Sequence, residues 1–380
     1  MKYCKECLEV DTRPNSKFGK SGLCSSCEFY KKNKIELSEK YKMGVLKELF
    51  KKFPRKKNSF FDCIIGVSGG KDSTRQALWL RDKLKINPLL VCCTYPPEQI
   101  TERGANNLSN LINLGFDVIV TGPSPQTWKK IMKQGFFNGN YLTGPELALY
   151  SSLPQIAIKH KIKLIFWGAS PAEDSNEKNT AKKGEEYDGN SLRNSNTLKN
   201  CDTTWISKIV EDKSKIIPYE FPNNSEFKKN KIQIVYLGWF WNNWSITYNS
   251  KLSSLNGLEL RTDDVSNTGD LYGAMALDED WVIVNQMMRY YKFGFARVTD
   301  YLNPEIRSKK ISRQEAIKII EKYDGSCNEK YITSFCKYLD ISKEKFWSVI
   351  SNFVNKKLFT ISNKKEGPKF IRKFKVGKGI

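Results

Sequence analysis

"FDCIIGVSGGKDSTRQALWL", residues 60–79, runs from an apolar stretch through a Ser-Gly-Gly turn into a helical pattern. The turn gathers two glycines, Lys71, Asp72 and three hydroxyl residues, Ser68, Ser73 and Thr74, where a sheet core hands over to a helix. Glycines there admit φ > 0 and let backbone N–H groups approach an anion with no Cβ in the way. The helix that follows adds its N-terminal dipole and its unpaired amides. Ser68, Gly69, Gly70, Lys71, Ser73 and Thr74 therefore read as a phosphate cradle. Asp72 is misplaced beside an anion unless a cation lies between them, so it reads as a carboxylate bridging Mg²⁺.

Outward from this turn, strands and helices alternate. "FFDCIIGV", "NPLLVCCTY", "FDVIVTG" and "KIKLIFWGA" read as strands; "STRQALWLRDKL", "ERGANNLSNLINLG", "QTWKKIMKQGFF" and "ELALYSSLPQIAIKH" read as helices. Continuous apolar strands separated by helices signal α/β with a doubly wound parallel sheet. Ligands bind at the carboxyl ends of such strands, which adds Thr94 after the second strand and Gly168, Ala169 and Ser170 after "LIFW". "IQIVYLGWFW" (232–241) is expected as the last strand, and residues 172–230 as a polar loop or lid insertion. Before the sheet, 34–53 has helical spacing and makes 31–58 a linker helix. The α/β domain is bounded at 59–245. Residues 246–380 read as a mainly helical substrate or partner region, with a capping box at 312–315, Gly325 placed to close that helix, and a basic, partly disordered tail.

The first 30 residues are turn-rich and carry Cys4, Cys7, Cys24 and Cys27 as C-x₂-C-x₁₆-C-x₂-C. Four thiolates at that spacing close a tetrahedral Zn²⁺ site and stabilise a segment too short for its own core. An iron–sulfur cluster uses the same ligands and stays open as the alternative. Four sulfurs leave no position for substrate, so the site reads as structural. Cys63, Cys92 and Cys93 fall in strands and read as buried apolar residues; Cys201, Cys327 and Cys336 are given no role. His160 is the only histidine, which argues against histidine-rich metal sites and histidine-centred triads.

The chain of 380 residues carries a net charge of +22, which favours anionic ligands. Only 12 of its 63 basic residues are arginine, weaker support for nucleic acid than an arginine-rich stripe. No apolar stretch is long enough to span a bilayer, and "MKYCKECLEV" lacks the apolar core of a signal peptide, so a cytoplasmic location away from membranes is expected.

The turn is not a Walker A loop, and no G-x-G-x-x-G occurs. "SGGKDS" after an apolar strand is similar to the PP-loop of the ATP pyrophosphatases. That resemblance implies an adenine nucleotide alpha hydrolase-like fold, ATP with Mg²⁺, cleavage between the α and β phosphates, and transfer of AMP to a substrate oxygen. Lys71 and Asp72 would then be the catalytic pair.

Several pieces together resemble the N-acetyl sugar amidotransferases of bacterial surface-glycan biosynthesis. These are "CKECLEVDTRPNSKFGKSGLCSSC", "FDCIIGVSGGKDST", "YLGWFW", "GAMALDED", "YYKFGFARVTD", "EIRSKKISRQEAI" and "KYDG", in that order along the chain. The resemblance implies conversion of an acetamido group on a sugar or sugar nucleotide to an acetamidino group. ATP would adenylate the amide oxygen and ammonia would displace AMP, splitting one hard substitution into two easier ones. No glutaminase Cys–His pair is present, so the family implies an ammonia-supplying partner similar to the glutaminase and cyclase subunits of imidazole glycerol phosphate synthase. Lipopolysaccharide sugars and the nonulosonic acids of flagellins are the implied products. Asp263, Asp270, Asp278 and Arg297 fall inside matching segments as candidate substrate contacts; solvated charges and helix caps are the competing reading. Trp239, Phe240, Trp241 and Trp244 could stack on a sugar or base; core packing or a partner interface is the competing reading.

The chain departs from the family pattern at Leu142–Glu146, where a Cys pair and His are expected, at Ala169–Ser170, and before "YYKFG", where a His is missing. Two rivals follow: a tRNA-modifying PP-loop enzyme, thiolase or lysidine-synthetase-like, and a non-catalytic nucleotide-binding scaffold.

Overall fold

The computed structural model describes residues 1–32, 38–55, 57, 59–168, 185–195, 197–364 and 367–380. Its centre is a five-stranded parallel sheet of β1 (Cys63–Gly66), β2 (Pro88–Cys93), β3 (Val118–Thr121), β4 (Leu164–Trp167) and β5 (Gln233–Tyr236), in the order β3-β2-β1-β4-β5. Side chains alternate across a strand, and each strand here feeds two cores. Ile64, Leu89, Val91, Ile165 and Ile234 enter one; Cys63, Ile65, Leu90, Cys92, Phe166 and Val235 enter the other. The expectation of buried thiols at Cys63, Cys92 and Cys93 is met.

Helix α1 (Ser25–Lys32) starts within the second cysteine pair, while helices α2 (Glu39–Lys52), α3 (Lys71–Leu84) and α4 (Glu102–Asn113) lie on the second core through Leu46, Leu49, Leu78, Leu80 and Leu111. Helices α5 (Pro125–Phe137) and α6 (Thr143–His160) cover the first through Trp128, Ile131, Phe136, Leu147 and Leu153. The last expected strand is shorter than the sequence suggested. After Tyr236 the chain turns into a 3-10 helix, Leu237–Phe240, because Gly238 N donates to Gly168 O (3.0 Å) and draws the chain towards the end of β4. Within the expected lid, residues 172–184 and 196 lie outside the described residues. The stretch from Glu185 onward instead lines the β5 edge, with Gly189 N on Ile234 O (2.9 Å) and Tyr236 N on Tyr187 O (2.8 Å).

The C-terminal region is helical as expected, with helices at Val282–Phe293, Arg297–Arg307, Arg313–Tyr323, Glu329–Leu339 and Lys343–Phe353. The Ser312–Glu315 capping box forms, and Gly325 follows the helix at φ 82°. The tail corrects the sequence reading. Strands β6 (Phe359–Lys364) and β7 (Gly367–Arg372) pair antiparallel, and Phe370 packs on Tyr291 at 4.5 Å between ring centres. The run of lysines hid an alternation: Phe370 and Phe374 turn inward while Lys369, Ile371 and Lys373 turn out.

The two ends of the chain meet. Leu8 N donates to Asn303 Oδ1 (2.8 Å), Arg313 reaches Cys7 O, and Ile380 N reaches Met1 O (3.2 Å). Arg13 and Arg289 both pair with Asp300 and flank the Phe295 ring, each 4.2 Å from its centre. Burial raises the Asp300 pKa, but the two guanidinium groups outweigh it and hold the carboxyl well below its usual range. Among the described residues no helix is long and apolar enough to cross a membrane.

Candidate functional site

Strand β1 ends at Gly66 and delivers the glycine turn between α3 and α4. Gly69 adopts φ 79°, and a Cβ there would lie 2.8 Å from the backbone of Asn107 and Leu108, so only glycine fits. Gly70 caps α3 without a side chain, and Ser73 Oγ and Thr74 Oγ1 both donate to its carbonyl at 3.0 Å. Two of the expected hydroxyl donors thus brace the turn. The amides of Ser68, Gly69 and Gly70 make no hydrogen bond among the described residues, as an anion cradle requires. Lys71 is buried, with Nζ 2.8 Å from Asp72 Oδ2 and 3.1 Å from Met275 Sδ. The other Asp72 oxygen accepts from Asn249 Nδ2 (2.6 Å), and 39% of the Asp72 side chain remains exposed.

The strand order reverses between β1 and β4, so the crevice that open parallel sheets use for ligands lies beside this turn. Gly168 stands on its far side; a Cβ there would be 3.5 Å from Gln76 Nε2 and 3.8 Å from Trp244. Thr94 is drawn the other way, its N–H donating to Thr121 O (2.7 Å) and its hydroxyl to Tyr95 O (3.2 Å). Ala169 and Ser170 lie outside the described residues. Leu142–Glu146 open helix α6.

A segment of the C-terminal region covers the turn. Arg261, with 1% of its side chain exposed, donates to Asp270 Oδ2 (2.9 Å), Met275 O (2.9 Å), Ala276 O (3.1 Å), Glu279 O (3.2 Å) and Asp280 Oδ1 (2.9 Å). These bonds fold 270–280 into a cap that sets Met275 on Lys71. Thr101 N and Oγ1 bond to Asp278 O and Leu277 O (both 3.0 Å), locking the cap to the start of α4. Burial pushes Asp278 up to about 6 and, with Asp278 beside it, Glu279 up to about 8.

Among the C-terminal candidates, Asp270 is buried and held by Arg261 and by Tyr301 OH (2.8 Å), so its carboxylate is engaged inside the cap. Asp263 is paired with Lys330. Arg297 opens its helix and acts electrostatically on Tyr301. Trp239 and Phe240 are core residues; Trp241 and Trp244 stack in parallel at 5.4 Å, with the Arg75 guanidinium 4.4 Å from the Trp241 ring centre. A groove of about 620 Å³ runs along α3 past Arg75, Trp79, Asp82, Trp241, Tyr248 and Asn256. Asn249 and Arg261 were not marked by the sequence. Arg261 had one available signal, a lone arginine ahead of a run of carboxylates.

At the other end, Cys4, Cys7, Cys24 and Cys27 bring their sulfurs within 4.8 Å of one another, all buried. The Cys7–Cys24 separation is 3.7 Å, against about 3.8 Å for two sulfurs each about 2.3 Å from a tetrahedral zinc. Backbone N–H groups of Cys24, Cys27 and Glu9 point at the sulfurs, the hydrogen bonding that thiolate ligands take. The four residues fit a metal such as zinc and would act structurally.

Fold and site thus define a parallel α/β protein with a glycine-rich turn of unbonded amides, a C-terminal cap and four clustered cysteines close enough to hold a metal. Residues 268–375 match the family model described as LPS biosynthesis protein WbpG-like, C-terminal domain. The match takes in Asp270, Met275, Glu279 and Asp300, which form the cap and hold the cysteine segment. It supports a role in surface-glycan biosynthesis and suggests an enzyme. No curated protein matches the chain.

Proposed function

We propose that the protein is an ATP-dependent, AMP-forming amidotransferase that converts the acetamido group of an N-acetyl sugar to acetamidino in surface-glycan biosynthesis. The observation that carries the reading is the Ser68–Gly70 amide cradle at the strand switch point, capped by residues of the WbpG-like segment. ATP would lie with its pyrophosphate portion on Ser68–Thr74 and its α-phosphate towards Lys71, with Asp72 towards Mg²⁺. That nucleotide supplies the activation: transfer of AMP makes the amide oxygen a leaving group. Lys71 offsets charge developing on phosphate, and the cap, by burying Lys71, excludes water from the adenylated amide. Ammonia would come from a separate glutaminase-type partner.

The test is AMP formation by purified protein with ATP, Mg²⁺ and an ammonium salt, over a panel of N-acetyl sugars and, separately, bulk tRNA. The expected result is AMP only with an N-acetyl sugar, whose carbonyl oxygen is exchanged for NH by mass. AMP formed only with tRNA would overturn the reading.

A further inference from the structure

The Ile246–Ser254 helix packs along α3 and sends two buried side chains into the glycine turn. Ser253 Oγ donates to Lys71 O (2.7 Å), and Asn249, fully buried, donates Nδ2 to Asp72 Oδ1. A carboxylate only accepts, so Asn249 presents its NH₂ end to Asp72, and Arg75, which can only donate, holds that orientation through Asn249 Oδ1. Arg75 is in turn fixed. Its other donors reach Asn243 O (3.3 Å) and Oδ1 (2.6 Å), and its faces are held by the rings of Trp241 and Tyr248.

We infer that Asn249, oriented by Arg75, is the positioning residue for Asp72: it fixes the carboxylate so that one oxygen faces Lys71 and the exposed side is left for a divalent cation. The inference rests on the reading of Asp72 as the Mg²⁺-bridging group. It adds that the aim of this group is set by a helix outside the turn. Without Asn249 Nδ2, Asp72 Oδ1 loses its only hydrogen-bond donor among the described residues, and the carboxylate is free to close wholly onto Lys71. Groups that orient a metal-binding carboxylate are worth about 10–100-fold in metal affinity.

The test is binding of ATP to full-length protein, followed by tryptophan fluorescence and calorimetry, with Mg²⁺ and with EDTA. Trp241 lies against Arg75 and supplies the optical signal. In Asn249→Ala, the Mg²⁺ concentration needed for half-maximal tightening of ATP binding should rise about tenfold or more, while ATP affinity in EDTA stays within about twofold. Arg75→Lys keeps the charge but loses the fork that sets the amide, and should shift the same quantity in the same direction. If Asn249→Ala does not fold, Arg75→Lys decides. Equal loss in Mg²⁺ and in EDTA, or no change in either, overturns the inference. Wild-type protein that binds no ATP in either condition overturns the reading of the turn beneath it instead.

Discussion

Glu279 has 1% of its surface exposed, and burial, reinforced by Asp278, pushes its pKa from 4.5 up to about 8. Its neighbours are Asp278 and Asp280 in the cap, Gln99 Nε2 from the β2–α4 connection, and Arg261, which takes its backbone oxygen. A carboxyl whose folded pKa lies above its unfolded value binds more protons folded than unfolded between the two. Glu279 therefore contributes nothing to pH dependence below about 4.5, costs progressively more stability as pH rises towards 8, and exerts its full cost above that. Glu279→Gln, a mimic of the protonated state, should flatten this decline. Urea unfolding midpoints from pH 5 to 8.5 check it; a wild-type slope retained by the variant would show that Glu279 does not titrate in this window. At this scale the sequence was informative only where neighbours in the chain are neighbours in space. Ser68–Thr74 could be read because seven consecutive residues make the turn. Asn249 could not, because the residue it orients lies 177 positions away.

The cysteine segment is an element with no core of its own. Its four sulfurs enclose a metal-sized gap, and it reaches the C-terminal helices through Leu8, Thr12, Arg13 and the Arg313 contacts. Tetrahedral coordination should hold one zinc per chain, measurable by mass spectrometry of the metal, and Cys24→Ser should abolish it. Removing the metal with a strong chelator should lower the urea unfolding midpoint and speed protease cleavage within residues 11–22. Iron recovered in place of zinc would select the cluster alternative. The spacing announced this centre because ligand geometry is local. The β6–β7 hairpin was misread because charge density outweighed a period-two pattern that only its packing on Tyr290, Tyr291 and Trp347 makes decisive.

Across the whole molecule, Arg261 is the hub of the cap, since the carbonyls and carboxylates it gathers lie on the segment that Thr101 ties to the start of α4 and that covers Lys71. Replacing it by methionine would strand Asp270 and several carbonyls in the interior, at a cost of roughly 3–5 kcal/mol. Arg261→Met should accordingly unfold at lower urea and be cut within 269–280 under native conditions. An intact cap in the variant would assign its folding to the Thr101 bonds to Leu277 and Asp278 instead. The parallel sheet, its strand order aside, followed from apolar runs alternating with amphipathic helices, and the glycine turn and cysteine centre followed from residue types at short spacing. These are set by local backbone geometry and by the need to bury one face, both written in contiguous sequence. Tertiary structure alone decided which residues meet at the turn: Met275 over Lys71, Asn249 on Asp72, Arg261 at the hub, and the closure of the two chain ends through Arg13 and Asp300. Such contacts depend on how packed elements are placed relative to one another, which no periodicity or spacing along the chain encodes.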